Sequence, residues 1–405
     1  MNNAGEYRAV KDPLYRYFLI GTGIFFAIIW PLYFATCKFP IDGLHEVVGR
    51  DFVNTWASAR LALTGHPQSY FGFAHYNDTL HRMFGMGLFR RNWNYPPHLL
   101  LFVWPLAFLG YFPALVVWTV AGLAAYVWTG FRGVSASGRF FLLVAPAAFV
   151  NLECGQNGFF TAALLLPAIE NWDRRPVLSG ILFGLLSIKP QLIMLVPLVL
   201  MLTGRWRCFW WAGATVAVLF MATGLVFGFD VWTTYLNVAV PIQSNVLTHG
   251  ENLMLWMMPS PFMNIRVLHL PLSVAWVVQG VISLLVLAAV VWTFRRPRDP
   301  LLSTAFLLTA SLVFSPYSFN YDMIALMIVC ARWIERSDCD WTDLKFILAV
   351  WLMPIVMMYV GVFGEVTGSA LILLGLGNQL LKKMRAQEFA LQTDGPISAM
   401  IPSTV

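Results

Sequence analysis

Residues 272–294 read LSVAWVVQGVISLLVLAAVVWTF, and this stretch carries no charged side chain. A helix needs roughly 20 apolar residues to cross the hydrocarbon core of a bilayer, so the stretch is long enough to span one. Similar runs occupy residues 17–36, 207–228 and 345–363. Hydrophobic residues make up 59% of the chain and charged residues only 11%, which is too few charges to cover the surface of a soluble protein. The sequence therefore predicts an all-α, multi-pass integral membrane protein.

The apolar runs predict about 10–12 transmembrane segments in a helical bundle. Most of the 26 Lys and Arg residues lie in the N-terminal tail and in the loops that follow every second run. The positive-inside rule makes those loops cytoplasmic. Residues 37–112 and 229–271 then form two long extracytoplasmic loops. We predict one transmembrane domain over residues 1–381 and a cytoplasmic tail over residues 382–405.

The first long loop contains two segments that are more apolar than a linker. Apolar and polar positions are mixed between Phe52 and Leu63, as in an amphipathic helix. Residues 98–110 read HLLLFVWPLAFLG, which is apolar but short and interrupted by Pro105. Both segments are typical of interfacial or re-entrant helices that lie along the membrane.

Charge and cysteine content exclude several classes of protein. The net charge is +6, but the cations are spread between apolar runs, so we expect a lipid bilayer as partner and no nucleic acid. The five cysteines show no CxxC spacing, and the histidines of the first loop show no HExxH spacing. We therefore predict no metal site and no cofactor.

Asp51 is the first candidate for chemistry. It precedes the amphipathic segment, and Asp51, Asn54, Thr55 and Ser58 would form one polar stripe on a helix that begins there. A carboxylate at a helix N-terminus is stabilised in its ionised form, in which it can take a proton from a hydroxyl as a general base. The alternative is a purely structural N-cap.

Lys189 is the second candidate, in the apolar segment LLSIKPQLIML. An ammonium group at membrane depth costs about 2.5–3.5 kcal/mol on insertion scales, and it tends to face a cavity and a partner. We interpret Lys189 as the counter-charge of a phosphate, with Gln191 beside it. The alternative is a lysine that snorkels to the interface.

Two polar turns fall on the same predicted side of the membrane. ECGQNG at residues 153–158 supplies Gln156 and Asn157, which could bind sugar hydroxyls or could serve the turn alone. FSPYSFNYDM at residues 314–323 ends one apolar run and begins the next, where its polar groups could also cap helices. A carboxylate and a buried cation that converge on one face suit the transfer of a group from a lipid phosphate.

The order of these motifs resembles glycosyltransferase family 87, whose members span the membrane many times, have the GT-C fold and use polyprenyl-phosphate sugars. The similarity rests on five stretches: DFVNTWASARLALTGHPQSYF (51–71), NYPPHLLLFVWPLAFL (94–109), GQNGFFTAALLL (155–166), GILFGLLSIKPQLIMLVPLVL (180–200) and FSPYSFNYDMIAL (314–326). Together they extend over most of the chain.

The resemblance implies roles for individual residues. The catalytic Asp of the first extracytoplasmic loop would be Asp51, and the KPQ segment would place Lys189 and Gln191 at the donor phosphate. The remaining polar residues would bind the sugar or the acceptor: Asn54, Gln156, Asn157, Ser315, Ser318 and Tyr321. The chain departs from the expected pattern in having Phe319 and Tyr321 where many members are expected to carry Trp and His.

We therefore predict an inverting glycosyltransferase with its active site on the extracytoplasmic face of the inner (plasma) membrane. A polyprenyl-phosphate sugar, mannose before arabinofuranose, would be the donor, and a glycolipid or glycan the acceptor. One alternative is a polysaccharide polymerase or ligase with a lipid-diphosphate donor, for which His249 and Arg266 of the later loop would matter more than Asp51. A lipid or solute transporter is the other alternative.

Overall fold

The computed structural model describes residues 8–43, 45–85, 91–250, 253–360 and 368–393. Over these ranges the backbone is mainly helical, and the extended pairing is confined to two isolated bridges, Lys38 with Ile41 and Ile41 with Val47. A helix satisfies its own peptide groups, which lipid cannot do. The prediction of an all-α membrane protein is confirmed.

The helices of the first half are α1 (Pro13–Thr36), α2 (Phe52–Thr64), α3 (Gln68–Phe71), α4 (Phe73–Phe84), α5 (Leu100–Val103), α6 (Tyr111–Gly130), α7 (Ala136–Leu143), α8 (Pro146–Glu153), α9 (Gly158–Asn171), α10 (Pro176–Leu185) and α11 (Val196–Leu202). The second half contains α12 (Trp206–Phe227), α13 (Asp230–Thr234), α14 (Val240–His249), α15 (Leu253–Trp256), α16 (Pro261–Val267), α17 (Leu272–Phe294), α18 (Pro300–Phe314), α19 (Ile324–Ile334), α20 (Trp341–Ile355) and α21 (Ser369–Thr393).

Five of the described helical segments are long and apolar enough to cross a membrane, namely α1, α6, α12, α17 and Trp341–Val360. Their outer faces are apolar as well. On α1, Ile20, Ile24 and Ile28 are more than half exposed and follow one another at intervals of four residues, so they form one stripe along the helix. Such a stripe is unfavourable in water and suits contact with lipid. The chain is a multi-pass membrane protein.

The helices in the middle of the chain are shorter. Helices α9, α10 and α11 have 14, 10 and 7 residues, and 3-10 turns over Leu186–Ile188 and Pro190–Leu192 join α10 to α11. Pro190 has no N–H to continue a helix past Lys189. The predicted number of about 10–12 crossings stays a prediction, because these pieces are too short to be assigned by length.

The turns gather at the two ends of the bundle. The Asp51 face holds residues 37–43, 45–51, 154–157, 189 and 315–319, and the Arg336 face holds residues 131–135, 172–175, 203–205, 295–299 and 335–340. Polar contacts cross-link the Arg336 face: Arg336 binds Asp299 and Asp338, each at 2.8 Å, and Glu335 accepts from the Ser135 hydroxyl at 2.6 Å. Loops far apart in the sequence are thus held together at that end.

The first long loop folds against the bundle. The helix expected between Phe52 and Leu63 is present as α2, and its Trp56 indole donates to the Leu109 carbonyl at 3.0 Å. Residues 98–110 contain α5 between 3-10 turns over Pro97–Leu99 and Trp104–Phe108, and together these pieces form one short apolar helical segment, Pro97–Phe108.

At the other end of the chain, the predicted boundary between residues 381 and 382 lies inside α21. The basic residues that follow position 381 are good helix formers, and they prolong the helix to Thr393. The rest of the predicted tail, residues 394–405, lies outside the described residues. The domain limits stay a prediction.

Candidate active site

Asp51 lies immediately before α2 on the Asp51 face, with a helical backbone conformation. Its carboxylate does not cap α2. Instead Oδ1 accepts from Arg91 Nη1 and Oδ2 accepts from Gln156 Nε2, each at 2.8 Å. The side chain is still 36% exposed, and a carboxylate oxygen can accept more than one hydrogen bond. Asp51 is therefore anchored on both oxygens and open to a further donor.

The turn at residues 154–157 is shaped to hold Asp51 in place. The Asp51 N–H donates to the Cys154 carbonyl at 3.0 Å, and Gly155 has a φ of +58°. A Cβ added to Gly155 would lie 2.6 Å from the Gly49 carbonyl oxygen and 2.6 Å from the Cβ of Phe52. A residue with a side chain cannot fit so closely, which is a specific reason for glycine in ECGQNG.

Arg91 links Asp51 to a second carboxylate. Its other terminal nitrogen, Nη2, pairs with Glu46. Burial alone would lower the pKa of Arg91, but the Asp51 and Glu46 carboxylates outweigh it, and the pKa of Arg91 is raised. Burial raises the pKa of Glu46, an effect that Arg91 opposes. One guanidinium thus holds two acidic side chains that would otherwise repel each other.

Gln156 is oriented by a tyrosine that the sequence analysis did not single out. The Tyr95 hydroxyl donates to Gln156 Oε1 at 2.8 Å, which turns the amide nitrogen toward Asp51. Burial, reinforced by Asp322 and then Asp51, raises the pKa of Tyr95 well above its ordinary value, so the phenol stays a donor. Nearby, Asn54 Oδ1 accepts from the Tyr76 hydroxyl at 2.9 Å.

Lys189 is buried, with 3% of its surface exposed, and its ammonium has partners inside the protein. Nζ donates to Asp322 Oδ1 at 2.5 Å and to Asn157 Oδ1 at 2.9 Å, and it lies 4.7 Å from the centre of the Tyr321 ring. Asp322 Oδ2 also accepts from the Phe319 N–H at 3.3 Å. Lys189 is therefore part of a buried ion pair and does not snorkel.

Asp51 and Lys189 are linked through the side-chain amides of two consecutive residues. Gln156 binds Asp51, and the next residue, Asn157, binds Lys189. The structure thus brings together four of the predicted site residues, since the turn at 154–157 contacts both the start of α2 and the Lys189 break between α10 and α11.

The other predicted residues have less direct positions. Ser318 donates to the Leu312 carbonyl at 2.7 Å and Ser315 donates to the Tyr317 carbonyl at 3.2 Å, both while buried. Their hydroxyls shape the turn after α18, and their role as sugar or acceptor ligands stays a prediction. Tyr321 stacks on Phe319 with ring centres 5.0 Å apart. Within the described residues, nothing hydrogen-bonds the half-buried amide of Gln191.

A cavity of about 460 Å³ opens beside this cluster, between α1 and α6. Its polar end consists of Arg50, which binds Glu153 at 2.9 Å, and Tyr359, whose hydroxyl donates to Glu153 at 2.6 Å. The rest of the wall is mostly apolar and includes Ile29, Trp30 and Phe34 of α1 and Leu115, Val116 and Val120 of α6. We call this cavity the α1–α6 groove.

The sequence model of Glycosyltransferase family 87 matches residues 93–316, more than half of the chain. The chain belongs to glycosyltransferase family 87. No curated protein and no solved structure matches the chain. The matched range includes Gln156, Asn157, Lys189 and Gln191, whereas Asp51 precedes it. As a member of family 87, the protein is a membrane glycosyltransferase.

Among the carboxylates described around this turn, Asp51 is the most exposed. Glu46 is tied to Arg91, Glu153 is tied to Arg50 and 10% exposed, and Asp322 is buried against Lys189. Asp51 has more than a third of its side chain exposed, so an acceptor hydroxyl can reach it without breaking an existing contact. The family 87 chain therefore presents Asp51 as the carboxylate best placed to receive a proton.

The later loop places His249 and Arg266 differently. Arg266 donates to the Leu247 and Gly250 carbonyls at 2.9 and 3.1 Å. The His249 ring is exposed and lies 2.8 Å from the Thr248 hydroxyl. These contacts lie inside the loop and join the end of α14 to α16, so they give Arg266 a structural task in this glycosyltransferase.

Proposed function

We propose that this family 87 enzyme transfers a hexose, mannose in the first instance, from a polyprenyl-phosphate sugar to a hydroxyl of a glycolipid or glycan acceptor. The observation that carries the proposal is the position of Asp51. Its carboxylate side chain is 36% exposed and is fixed by Arg91 and Gln156, and it directly follows Arg50 at the polar end of the α1–α6 groove.

In the proposed reaction the acceptor oxygen attacks the anomeric carbon while the bond from that carbon to the phosphate oxygen breaks. The acceptor proton passes to an oxygen of Asp51, and polyprenyl phosphate leaves with the bonding electrons. A phosphate is a stable leaving group, so no acid is needed to protonate it. In-line attack inverts the anomeric centre, and a β-linked donor would give an α-linked product.

The α1–α6 groove supports a lipid-linked donor. Its volume of about 460 Å³ falls within the range of roughly 300–1,000 Å³ usual for ligand pockets. An isoprenoid chain would lie along the apolar wall, and its phosphate would meet the Arg50 guanidinium. The Arg50 Nε is buried and has no hydrogen-bond partner, so a phosphate oxygen could satisfy it.

Lys189 was the cation expected at the phosphate, and its pairing changes that proposal. A phosphate at Lys189 would have to share or displace Asp322, whose side chain is fully buried. Removing one partner of a buried ion pair costs about 3–5 kcal/mol. Arg50 is also paired, with Glu153 at 2.9 Å and Asp42 at 3.7 Å, but its side chain is 13% exposed and lines the groove, whereas Lys189 is 3% exposed and does not. We therefore propose Arg50 as the phosphate-binding cation and keep Lys189, with Gln191, as the alternative.

The orientation in the membrane follows from charge. The basic loops of the Arg336 face, such as 174–175 and 295–298, would be cytoplasmic by the positive-inside rule. We propose that the protein lies in the inner (plasma) membrane and that the Asp51 face is extracytoplasmic. Arabinofuranose in place of mannose is the second candidate donor sugar.

The reaction is tested with purified full-length protein, labelled polyprenyl-phosphate mannose and acceptor lipids. Asp51→Asn should lower kcat roughly 10²- to 10⁴-fold, the usual effect of losing a general base. Asp78→Asn is the matched control, since Asp78 is an exposed carboxylate in the same loop. Normal turnover by Asp51→Asn would refute the role of Asp51, and absence of transfer by the wild type from either sugar donor would refute the donor class.

Two substitutions on α6 test whether the lipid donor binds in the α1–α6 groove. Val116 lines the groove and Val117 does not, and both are exposed. Val116→Trp should raise the KM for the lipid donor, whereas Val117→Trp should not. Arg50→Gln and Lys189→Gln, compared in the same assay, identify the phosphate ligand as the position whose change raises the donor KM most.

The rival functions predict other outcomes. A polymerase or ligase would consume a lipid-diphosphate donor and would lose activity in Arg266→Ala more than in Asp51→Asn. A transporter would move labelled lipid across a vesicle membrane without forming product.

A further inference from the structure

A second cavity lies on the Arg336 face, at the end of α17. It has a volume of about 600 Å³. One wall is apolar and is formed by the lipid-facing side of α17, on which Leu284 is 68% exposed. The other end is formed by three arginines of the following loop, Arg295, Arg296 and Arg298. We call this cavity the α17 cleft.

Among the described residues, the acidic side chains neutralise the arginines of the cleft only in part. Arg296 and Arg298 share a single acidic partner, Glu388, at 2.7 and 2.9 Å. Arg385 joins the group by lying 5.1 Å from the centre of the Trp292 ring. Four arginines against one glutamate leave an excess of three positive charges. The cluster therefore favours an anionic ligand.

Arg298 shows that the cleft contains a buried arginine held by its neighbours, and is more than a group of surface cations. Its side chain is 5% exposed, its guanidinium lies 3.6 Å from the centre of the Trp292 ring, and its buried Nε has no hydrogen-bond partner. A buried donor without a partner is costly, and an oxygen of a bound anion could satisfy it.

We propose that the α17 cleft binds an anionic phospholipid. Its acyl chains lie along α17 from Leu284 to Val291, and its phosphate lies among Arg295, Arg296 and Arg298. The two halves of the cleft match the two halves of such a molecule, because apolar wall and excess positive charge meet where the helix ends. Basic pockets at the ends of membrane helices commonly hold acidic lipid headgroups.

The test measures lipid binding by the full-length protein in detergent, by native mass spectrometry, with phosphatidylglycerol and phosphatidylcholine as probes. Wild type should retain phosphatidylglycerol in preference. R295Q/R296Q should weaken that binding roughly 10- to 30-fold, since each basic residue near a headgroup contributes about 1 kcal/mol. R174Q/R175Q is the matched control, an exposed arginine pair on the same face. Equal weakening in both double variants would overturn the proposal.

A second pair of variants tests the apolar wall without changing charge. Ala288 lines the cleft, whereas Val277 is 65% exposed on the same helix and does not. Ala288→Trp should displace phosphatidylglycerol, and Val277→Trp should leave it bound. Inorganic phosphate at millimolar concentration should not compete with the lipid. Full competition by phosphate, or retention of lipid by Ala288→Trp, would overturn the proposal. None of these measurements depends on glycosyl transfer.

Discussion

The ion pair between Lys189 and Asp322 makes the sharpest prediction about stability. Both side chains are almost completely buried. In Lys189→Met, the Asp322 carboxylate keeps only the Phe319 N–H at 3.3 Å, so we expect a loss near the upper end of the 3–5 kcal/mol usual for breaking such a pair. In Asp322→Asn, the ammonium keeps Asn157 and the Tyr321 ring, so we expect a loss near the lower end.

The double variant separates the interaction between Lys189 and Asp322 from the contribution of each side chain alone. Lys189→Met with Asp322→Asn leaves no buried charge at this position, and its main defect is the unsatisfied Asn157 oxygen, a cost of about 1–3 kcal/mol. The double change should therefore cost much less than the sum of the two single changes. This non-additivity measures the coupling between the two side chains.

The assay is denaturant unfolding of the purified protein in detergent, followed by tryptophan fluorescence, with Lys382→Met as the control for loss of an exposed lysine. Two results would refute the reasoning. Additive single changes would mean that the ion pair is not coupled, and a Lys189→Met protein with wild-type stability but no activity would mean that Lys189 serves the donor phosphate.

Three further predictions concern the setting of Asp51. Gln156→Leu removes one hydrogen bond from the carboxylate and should lower kcat roughly tenfold, from the ~1–1.5 kcal/mol of one such bond; an unchanged kcat would contradict its positioning role. Arg91→Gln leaves two carboxylates without their shared cation and should accelerate proteolysis of the first loop, while Arg82→Gln, an exposed control, should not. Gly155→Ala introduces a clash with the backbone and Phe52 and should lower both the unfolding midpoint and kcat; a wild-type midpoint would contradict the tight fit.

The helices were largely predictable because the hydrophobic pattern decides them. In a bilayer, uncharged runs such as 272–294 must satisfy their own peptide groups and become helices, and α17 covers that range. The amphipathic pattern between Phe52 and Leu63 likewise gave α2, with Asp51 at its start. Prolines also indicated where helices are interrupted, since Pro105 lies in the 3-10 turn after α5 and Pro190 in the break between α10 and α11.

The partners of the charged residues were not predictable from the sequence. Lys189 and Asp322 are 133 residues apart, and Arg91 and Asp51 are 40 residues apart, so no periodicity connects them. Proximity in the sequence offered two hints: Arg50 adjoins Asp51, and Arg91 lies three residues before NYPP (94–97), which contains Tyr95. Pairing in a folded core is decided by packing, and it changed the proposed task of Lys189 from ligand binding to stabilisation.

The short helices of the middle of the chain have a consequence for the surrounding lipid. Helix α10, on which Leu178 is 40% exposed, and the 3-10 turn after it have 10 and 3 residues, and together they are roughly 20 Å long at about 1.5 Å per residue, against a hydrocarbon thickness of about 30 Å. Hydrophobic mismatch of this size is relieved when the adjacent leaflet sinks toward the protein. The Asp51 carboxylate, which contacts the turn between α8 and α9, would then lie in a depression of the membrane surface, where a lipid-borne hydroxyl reaches it without being lifted out of its leaflet. Turnover should accordingly depend on acyl-chain length in the reconstituted bilayer.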